Sequence, residues 1–309
     1  MATLTGLLCL AQLQAAPSVK LSESPGTPHI VFLAGSENLS FNLLFRQRLE
    51  KALPNNIKLM NYSARAQSQA PRALVITLGP SAVNDIVQQD RPVPTLALMV
   101  TESQFAQYRA LERPDLSAVY LNPPLKRQAL LGQQILPQAS RIAVLAEPGQ
   151  EQRYSTLAEE LAPYGLDLRT FTVESPENLV STLSRALNYG DFLLGTPNPE
   201  IYNRQTIKHI LLTTYRHNRI LIGPERAFVQ AGALASTYTP TEAVVKQTVD
   251  IIRQYVASGQ LPAPDFPDQY SVLFNEQVAR SLNIPLPEAT EVLNRLRALE
   301  DTNTGVGDE

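Results

Sequence analysis

Short apolar runs alternate with amphipathic stretches along most of the chain. His29–Ala34, Ile57–Met60, Leu74–Leu78, Thr95–Val100 and Ala118–Leu121 read as strands. Leu74–Leu78 is nearly continuously apolar, as a strand buried on both faces of a parallel sheet requires. Phe41–Leu53 places apolar residues near i, i+3 and i+4 and reads as a helix, and Ser81–Val87 begins another. This βαβα order predicts a parallel sheet covered on both faces.

A second unit repeats the rhythm. Strands are expected at Arg141–Leu145, Leu168–Val173, Asp191–Leu194 and Ile220–Ile222. Helices are expected at Leu125–Ile135, Arg153–Tyr164, Leu179–Leu187 and Glu200–Tyr215. Asn122-Pro123-Pro124 breaks the pattern between the two units and reads as a crossover, as does the region around Gly232. Thr239-Pro240-Thr241-Glu242 reads as a helix start, with Thr239 as N-cap, Pro240 at the first helical position and Glu242 at the third. Val245, Val249, Ile252 and Val256 then form an apolar stripe that Gly259 and a Pro-rich stretch end. Tyr270–Phe274 reads as a late strand, and Asn275–Leu282 and Glu288–Leu299 as late helices. Residues 300–309 are polar and acidic and are expected to be disordered.

Several predicted helices begin with a capping residue next to Pro or a carboxylate: Thr101-Glu102-Ser103-Gln104, Ser175-Pro176-Glu177 and Asn198-Pro199-Glu200. Capping alone accounts for any one of them, at about 1 kcal/mol each. Where such a start directly follows a buried strand, as at Gly79-Pro80-Ser81 and Thr101, free N–H groups and polar side chains also stand where α/β proteins bind ligands.

The chain has 309 residues, a length that suits two domains. Its net charge of −3 gives no basic patch, so nucleic acid is not an expected partner. The single cysteine, Cys9, excludes an intrachain disulfide and a CxxC motif. Residues 1–16 carry no charge, and Leu4, Leu7, Leu8, Leu10 and Leu13 form a short apolar segment before Ala15-Ala16-Pro17. This reads as a signal segment, too short to span a membrane, and places the mature protein in the periplasm. No Lys or Arg precedes the run, so either the true start lies upstream or the segment is an ordinary buried helix. Cys9 lacks the small residue expected before a lipidated Cys and reads as a bystander in a removed segment.

There is no Gly-x-Gly-x-x-Gly and no Gly-Lys-Ser/Thr loop, so a nucleotide cofactor lacks its usual phosphate cradle, and no cofactor is expected. His29, His209 and His217 are too scattered for a metal pair. Ser81 is not in a nucleophile elbow. The charged start Glu151–Arg153 reads as a solvated helix face. Tyr202, Asn203 and Arg204 are expected on the first turns of the helix that leaves a strand end. There they offer an apolar face, a donor–acceptor pair and a carboxylate clamp. The structural alternative is a core Tyr202 and a surface-paired Arg204. Tyr238 and Glu225 are weaker candidates of the same kind.

The run Pro197-Asn-Pro-Glu-Ile-Tyr-Asn-Arg-Gln-Thr-Ile207, the following Ile-Leu-Leu-Thr-Thr-Tyr-Arg, Ala231-Gly-Ala-Leu-Ala-Ser236 and Val278-Ala-Arg-Ser-Leu-Asn-Ile-Pro-Leu286 resemble a branch of ABC-transporter substrate-binding proteins. Some relatives bind aromatic amino acids, and relatives of this branch tend to carry Asp where Asn198 stands. The resemblance implies the type I periplasmic-binding architecture: α/β, with two Rossmann-like lobes of parallel sheets joined by crossovers and a ligand cleft between them. Lobe 1 is then expected at 27–121 and 233–258, and lobe 2 at 122–232 and 259–299.

The expected role is an exported binding protein, not an enzyme. It would hold a small polar or amino-acid-like ligand as a monomer and dock on an ABC permease in the inner membrane. The alternative is a periplasmic sensory module signalling to a membrane receptor or kinase. The expected ligand-binding residues are Ser36, Gly79, Ser81, Thr101 and Glu102 from one lobe and Asn198, Tyr202, Asn203 and Arg204 from the other. An enzymatic reading rests only on Glu102 and Arg204 meeting in one cleft.

Overall fold

Two parallel sheets of the same strand order organise the chain. In the computed structural model, which describes residues 29–304, the first sheet is built in sequence from β1 (His29–Ala34), α1 (Leu39–Ala52), β2 (Ile57–Asn61), α2 (Ala64–Gln69), β3 (Leu74–Leu78), α3 (Pro80–Val87), β4 (Thr95–Val100), α4 (Glu102–Arg109) and β5 (Leu116–Tyr120). Its strands lie in the order β2-β1-β3-β4-β5. The chain then enters a second lobe through α5 (Leu125–Ile135), β6 (Arg141–Ala146), α6 (Glu151–Leu161), β7 (Asp167–Thr172), α7 (Leu179–Tyr189), β8 (Phe192–Leu194), α8 (Ile207–Arg216), β9 (Ile220–Ile222), α9 (Arg226–Ala231) and β10 (Ala235–Tyr238). After α10 (Thr241–Ser258) come β11 (Ser271–Phe274), α11 (Glu276–Ser281) and α12 (Ala289–Thr304). The second sheet runs β11-β10-β9-β8-β6-β7. Without its antiparallel edge strand β11 it repeats the order of the first.

The alternation of side chains across each strand fills two layers per lobe. In the first, Leu74, Ile76 and Leu78 of β3 face Phe45 and Leu49 of α1 and Val245, Val249 and Ile252 of α10. Val75 faces the other way, onto Phe32 and Ile86. In the second, Ile142 and Val144 of β6 pack with α5 and α12, while Ala143 and Leu145 pack with α7 and α8. Each fully buried Val, Leu or Ile contributes about 1.5–3 kcal/mol, so the stripe of α10 is a substantial tie to the first lobe.

The expected α/β architecture is present, with two corrections to the lobe boundaries. The stretch 233–240 was expected in lobe 1, yet its β10 pairs with β9 and β11 in the second sheet. Four residues, two of them Ser236 and Thr237, made too short and polar a run to read as a strand. Both are nevertheless buried, because Gln128 of α5 satisfies them. Its Nε2 donates to Ser236 Oγ at 2.8 Å, and its Oε1 accepts from Thr237 N at 2.9 Å. The chain therefore crosses between lobes before α5, before α10 and again through the Pro-rich segment after α10. There Asp265, in the stretch 259–299 expected in lobe 2, instead pairs with β5 of the first sheet, its backbone carbonyl accepting from Tyr120 N and its N–H donating to Ala118 O.

Other boundaries shift for local reasons. Helix α10 begins at Thr241, with extended Pro240 at its N-cap and no capping side chain, so Thr239 does not cap it. Glu242 instead bonds Arg48 of α1 at 2.6 Å. Helix α12 continues to Thr304, into the stretch expected to be disordered. Helices α2 and α9 are short elements without an apolar period that the sequence pattern missed. The expected signal segment, Cys9 and residues 305–309 lie outside the described residues. Among the described residues no helix is long and apolar enough to cross a membrane.

Candidate functional site

The C-terminal ends of β4, β6 and β8 each deliver a polar turn into a cleft between the lobes. From the first lobe comes the start of α4. Thr101 Oγ1 accepts from Gln104 N while Gln104 Oε1 accepts from Thr101 N, the reciprocal cap expected from the sequence. This leaves Glu102 and Ser103 on the first turn facing the second lobe. From the second lobe come Glu147, just past β6, with Gln150 and Arg153 of the adjoining turn and helix, and Thr196–Glu200 past β8. A cavity of about 670 Å³ lies between Thr101, Glu102 and Arg109 on one side and Lys126, Arg153 and Glu160 on the other, floored by the crossover Asn122–Pro124. A smaller one of about 250 Å³ continues it past Arg153 to Glu147, Thr196 and Asn198.

The inner end of the cleft is polar. Asn198 Nδ2 donates to Glu147 Oε2 at 2.7 Å. Asn198 Oδ1 accepts from the backbone N–H groups of Glu200 and Ile201 at 2.9 and 3.3 Å. Asn198 is thereby locked, and it orients the Glu147 carboxylate. Thr196 lines the same cavity, 1% exposed, and its Oγ1 has no hydrogen-bond partner. Asn122, in the crossover, is also buried and has an unpartnered Oδ1. Orphaned buried polar atoms cost about 1–3 kcal/mol each, and both of these line the cleft.

The outer end is charged. Glu102 Oε1 lies 3.5 Å from Arg109 Nη2, and Glu102 Oε2 lies 3.9 Å from Arg153 Nη2 of the other lobe. Arg109 also donates to Tyr120 Oη at 2.6 Å. That hydrogen bond raises the guanidinium pKa against the lowering effect of burial, so the group stays charged. Burial in turn pushes the Tyr120 hydroxyl up. Tyr120 packs edge-on against Phe266, which lines the cavity.

The residues expected from sequence divide into three groups. Thr101, Glu102 and Asn198 line the interlobe cleft. Ser36, Gly79 and Ser81 stand at the ends of β1 and β3 but line neither interlobe cavity. Ser36 is engaged locally, its N–H and hydroxyl both bonding Asn42 Oδ1. Gly79 has φ +87°, a left-handed conformation that suits glycine, and its N–H bonds Leu98 O at 2.8 Å.

The third group, Tyr202, Asn203 and Arg204, is displaced because α8 begins only at Ile207. Residues 199–206 form a turn instead. Asn203 stabilises it, its Nδ2 donating to Pro199 O at 2.8 Å and its Oδ1 accepting from Gln205 N and Thr206 N. Tyr202 is buried beside Phe228, and burial pushes its unpartnered hydroxyl far up. Arg204 is exposed and lines neither cavity, so it does not meet Glu102. Tyr238 lies under Arg226, and Glu225, its pKa raised by burial, lines neither cavity.

Sequence reasoning missed Glu147, Gln150, Arg153 and Thr196. The signal for the first two was present: Glu147-Pro-Gly-Gln150 follows a buried strand as Asn198 does. Arg153 falls in a charged stretch whose pattern suits a solvated helix face, and only the opposing lobe gives it a partner.

No protein-family model matches the chain, and no curated protein matches it. Solved structures do match. A ligand-free, open substrate-binding protein with adhesive properties from Clostridium difficile is 13% identical, over 84% of this chain and 96% of that one, with a TM-score of 0.67. A conserved domain protein from Vibrio cholerae is 16% identical over 87% and 98%, at 0.57. An ABC domain in complex with L-Trp from Streptococcus pneumonia is 17% identical over 87% and 98%, at 0.56. The chain has the two-lobed, type I periplasmic-binding-protein fold.

Proposed function

We propose that this chain is an exported solute-binding protein of an ABC transporter. It holds a small polar or amino-acid-like molecule between its lobes and presents it, as a monomer, to a permease in the inner membrane. The observation that carries the reading is the cleft itself. Polar side chains from both lobes converge on it, and two of its lining residues, Thr196 and Asn122, carry buried side-chain oxygens without a hydrogen-bond partner. Two of the similar folds support it, one a substrate-binding protein and one holding L-Trp. The short apolar leader supports export.

The residues assigned to the ligand are Thr101 and Ser103 from the first lobe and Glu147, Gln150, Arg153, Thr196 and Asn198 from the second. Closure of the lobes over the ligand can shift no further than the ligand's preference for the closed state. A thermal-shift panel of amino acids, small carboxylates, sugars and nucleosides tests the reading, with small-angle scattering on each hit. A ligand at 100 times its Kd adds about 2.7 kcal/mol, and scattering reports the compaction. Stabilisation without compaction would count against a cleft ligand.

A further inference from the structure

The Glu102 carboxylate occupies a particular place. It sits on the first turn of α4, flanked by Arg109 of its own helix at 3.5 Å and by Arg153 of the opposite lobe at 3.9 Å. Among the described residues it makes the one ion pair that joins the two lobes. Its position in the first helical turn explains why a carboxylate is stable there, but not why a guanidinium from the other lobe reaches it. Arg153 lines both parts of the cleft and stands at their junction. Lys126 lines the same outer cavity, so cationic side chains outnumber the carboxylates Glu102 and Glu160 around it.

We propose that Arg153 and Arg109 form an anion subsite for the ligand, and that Glu102 is its resident competitor, an internal carboxylate that fills the subsite while the cleft is empty. The inference rests on the solute-binding reading and adds a chemical class to it: the ligand carries an anionic oxygen group, such as a carboxylate, at the outer end of the cleft. The pair it displaces is weak by construction. Its side chains are 37% and 41% exposed, and the separation is long, so an entering carboxylate exchanges one partially hydrated ion pair for a better-aligned one. The anion then bridges Arg109 of one lobe and Arg153 of the other in place of Glu102, which couples its binding to the movement of the lobes.

The experiment follows the Arg153 side-chain Nε–Hε resonance by NMR in the intact protein, titrated with sodium acetate. Sodium chloride of equal ionic strength and acetamide serve as controls for screening and for non-ionic binding. Arg153→Gln identifies the resonance, and melting curves confirm that each variant is folded. In the wild type acetate moves the resonance and neither control does. In Glu102→Gln the half-saturating acetate concentration falls about three- to fivefold, the factor expected for removing an exposed ion pair. An unchanged or higher concentration in Glu102→Gln overturns the competitor role. An Arg153 resonance that ignores acetate in both proteins overturns the subsite. A neutral ligand from the thermal-shift panel that compacts the protein with Arg153 unmoved removes the anion subsite but leaves the solute-binding reading. An acetate response with no compacting ligand does the reverse.

Discussion

Asn198 Nδ2 donates to Glu147 Oε2 across 2.7 Å, joining the turn after β8 to the turn after β6 at the inner end of the cleft. The amide is neutral and serves as donor to a carboxylate; an acid here would put two carboxylates in contact. Asn198→Asp should therefore raise the pKa of the pair. The folded state then binds more protons than the unfolded state, so stability falls as pH rises. Thermal melts should show the variant close to wild type near pH 4.5 and about 1–2 kcal/mol less stable at neutral pH. A deficit that does not vary with pH would show that the two groups do not interact.

Tyr202 is buried with an unpartnered hydroxyl against the Phe228 ring. Tyr202→Phe removes the orphan and keeps the ring contact. The variant should match or exceed wild-type stability by about 1 kcal/mol and leave ligand affinity unchanged. A large loss of affinity would return Tyr202 to the binding site.

Gln128 is fully buried and ties α5 to β9 and β10 through Gly223 O, Ser236 Oγ and Thr237 N. Gln128→Leu is similar in size but strands those partners. Urea unfolding should register a loss of about 2–3 kcal/mol. The change is local and leaves the surface exposed on unfolding the same, so the loss should appear as a lower midpoint with the slope unchanged.

Gly132 lets α5 approach β8. A Cβ there would stand 2.5 Å from Phe192 Cζ, and Phe192 is wholly buried. Gly132→Ala should destabilise by about 1–3 kcal/mol. Adding Phe192→Leu should recover part of it, and a double-mutant cycle with no coupling would place the strain elsewhere.

Asp191 caps the entry to β6. Its Oδ2 accepts from Ser140 N and Arg141 N, each at 3.0 Å, and Arg141 lies beside it. Burial pushes the carboxyl up, but the two N–H groups and the guanidinium outweigh it and hold the pKa below its ordinary 3.8. A depressed folded pKa stabilises above the unfolded value and is lost as pH falls through the folded one. Asp191→Asn should cost about 1 kcal/mol at neutral pH, and the difference from wild type should shrink below the ordinary carboxyl value.

The apolar runs determined most of the architecture. Leu74–Leu78, Thr95–Val100 and Leu125–Ile135 stand where their patterns place them, because burial on both faces leaves a strand little choice of composition and a helix stripe little choice of period. The cap at Thr101 was legible for a similar reason: a capping box is a contact within four residues. Local signals failed where the partner is distant. Ser236 and Thr237 look too polar for a central strand until Gln128, more than a hundred residues away, meets them. Tyr202, Asn203 and Arg204 look like a helix start, but Asn203 binds its own turn and delays the helix to Ile207. The cleft was decided almost entirely by tertiary structure. Sequence could place Glu102, Asn198 and even Glu147 at strand ends. Only the docking of two lobes across three crossovers sets Arg153 opposite Glu102 and turns separate helix starts into one site.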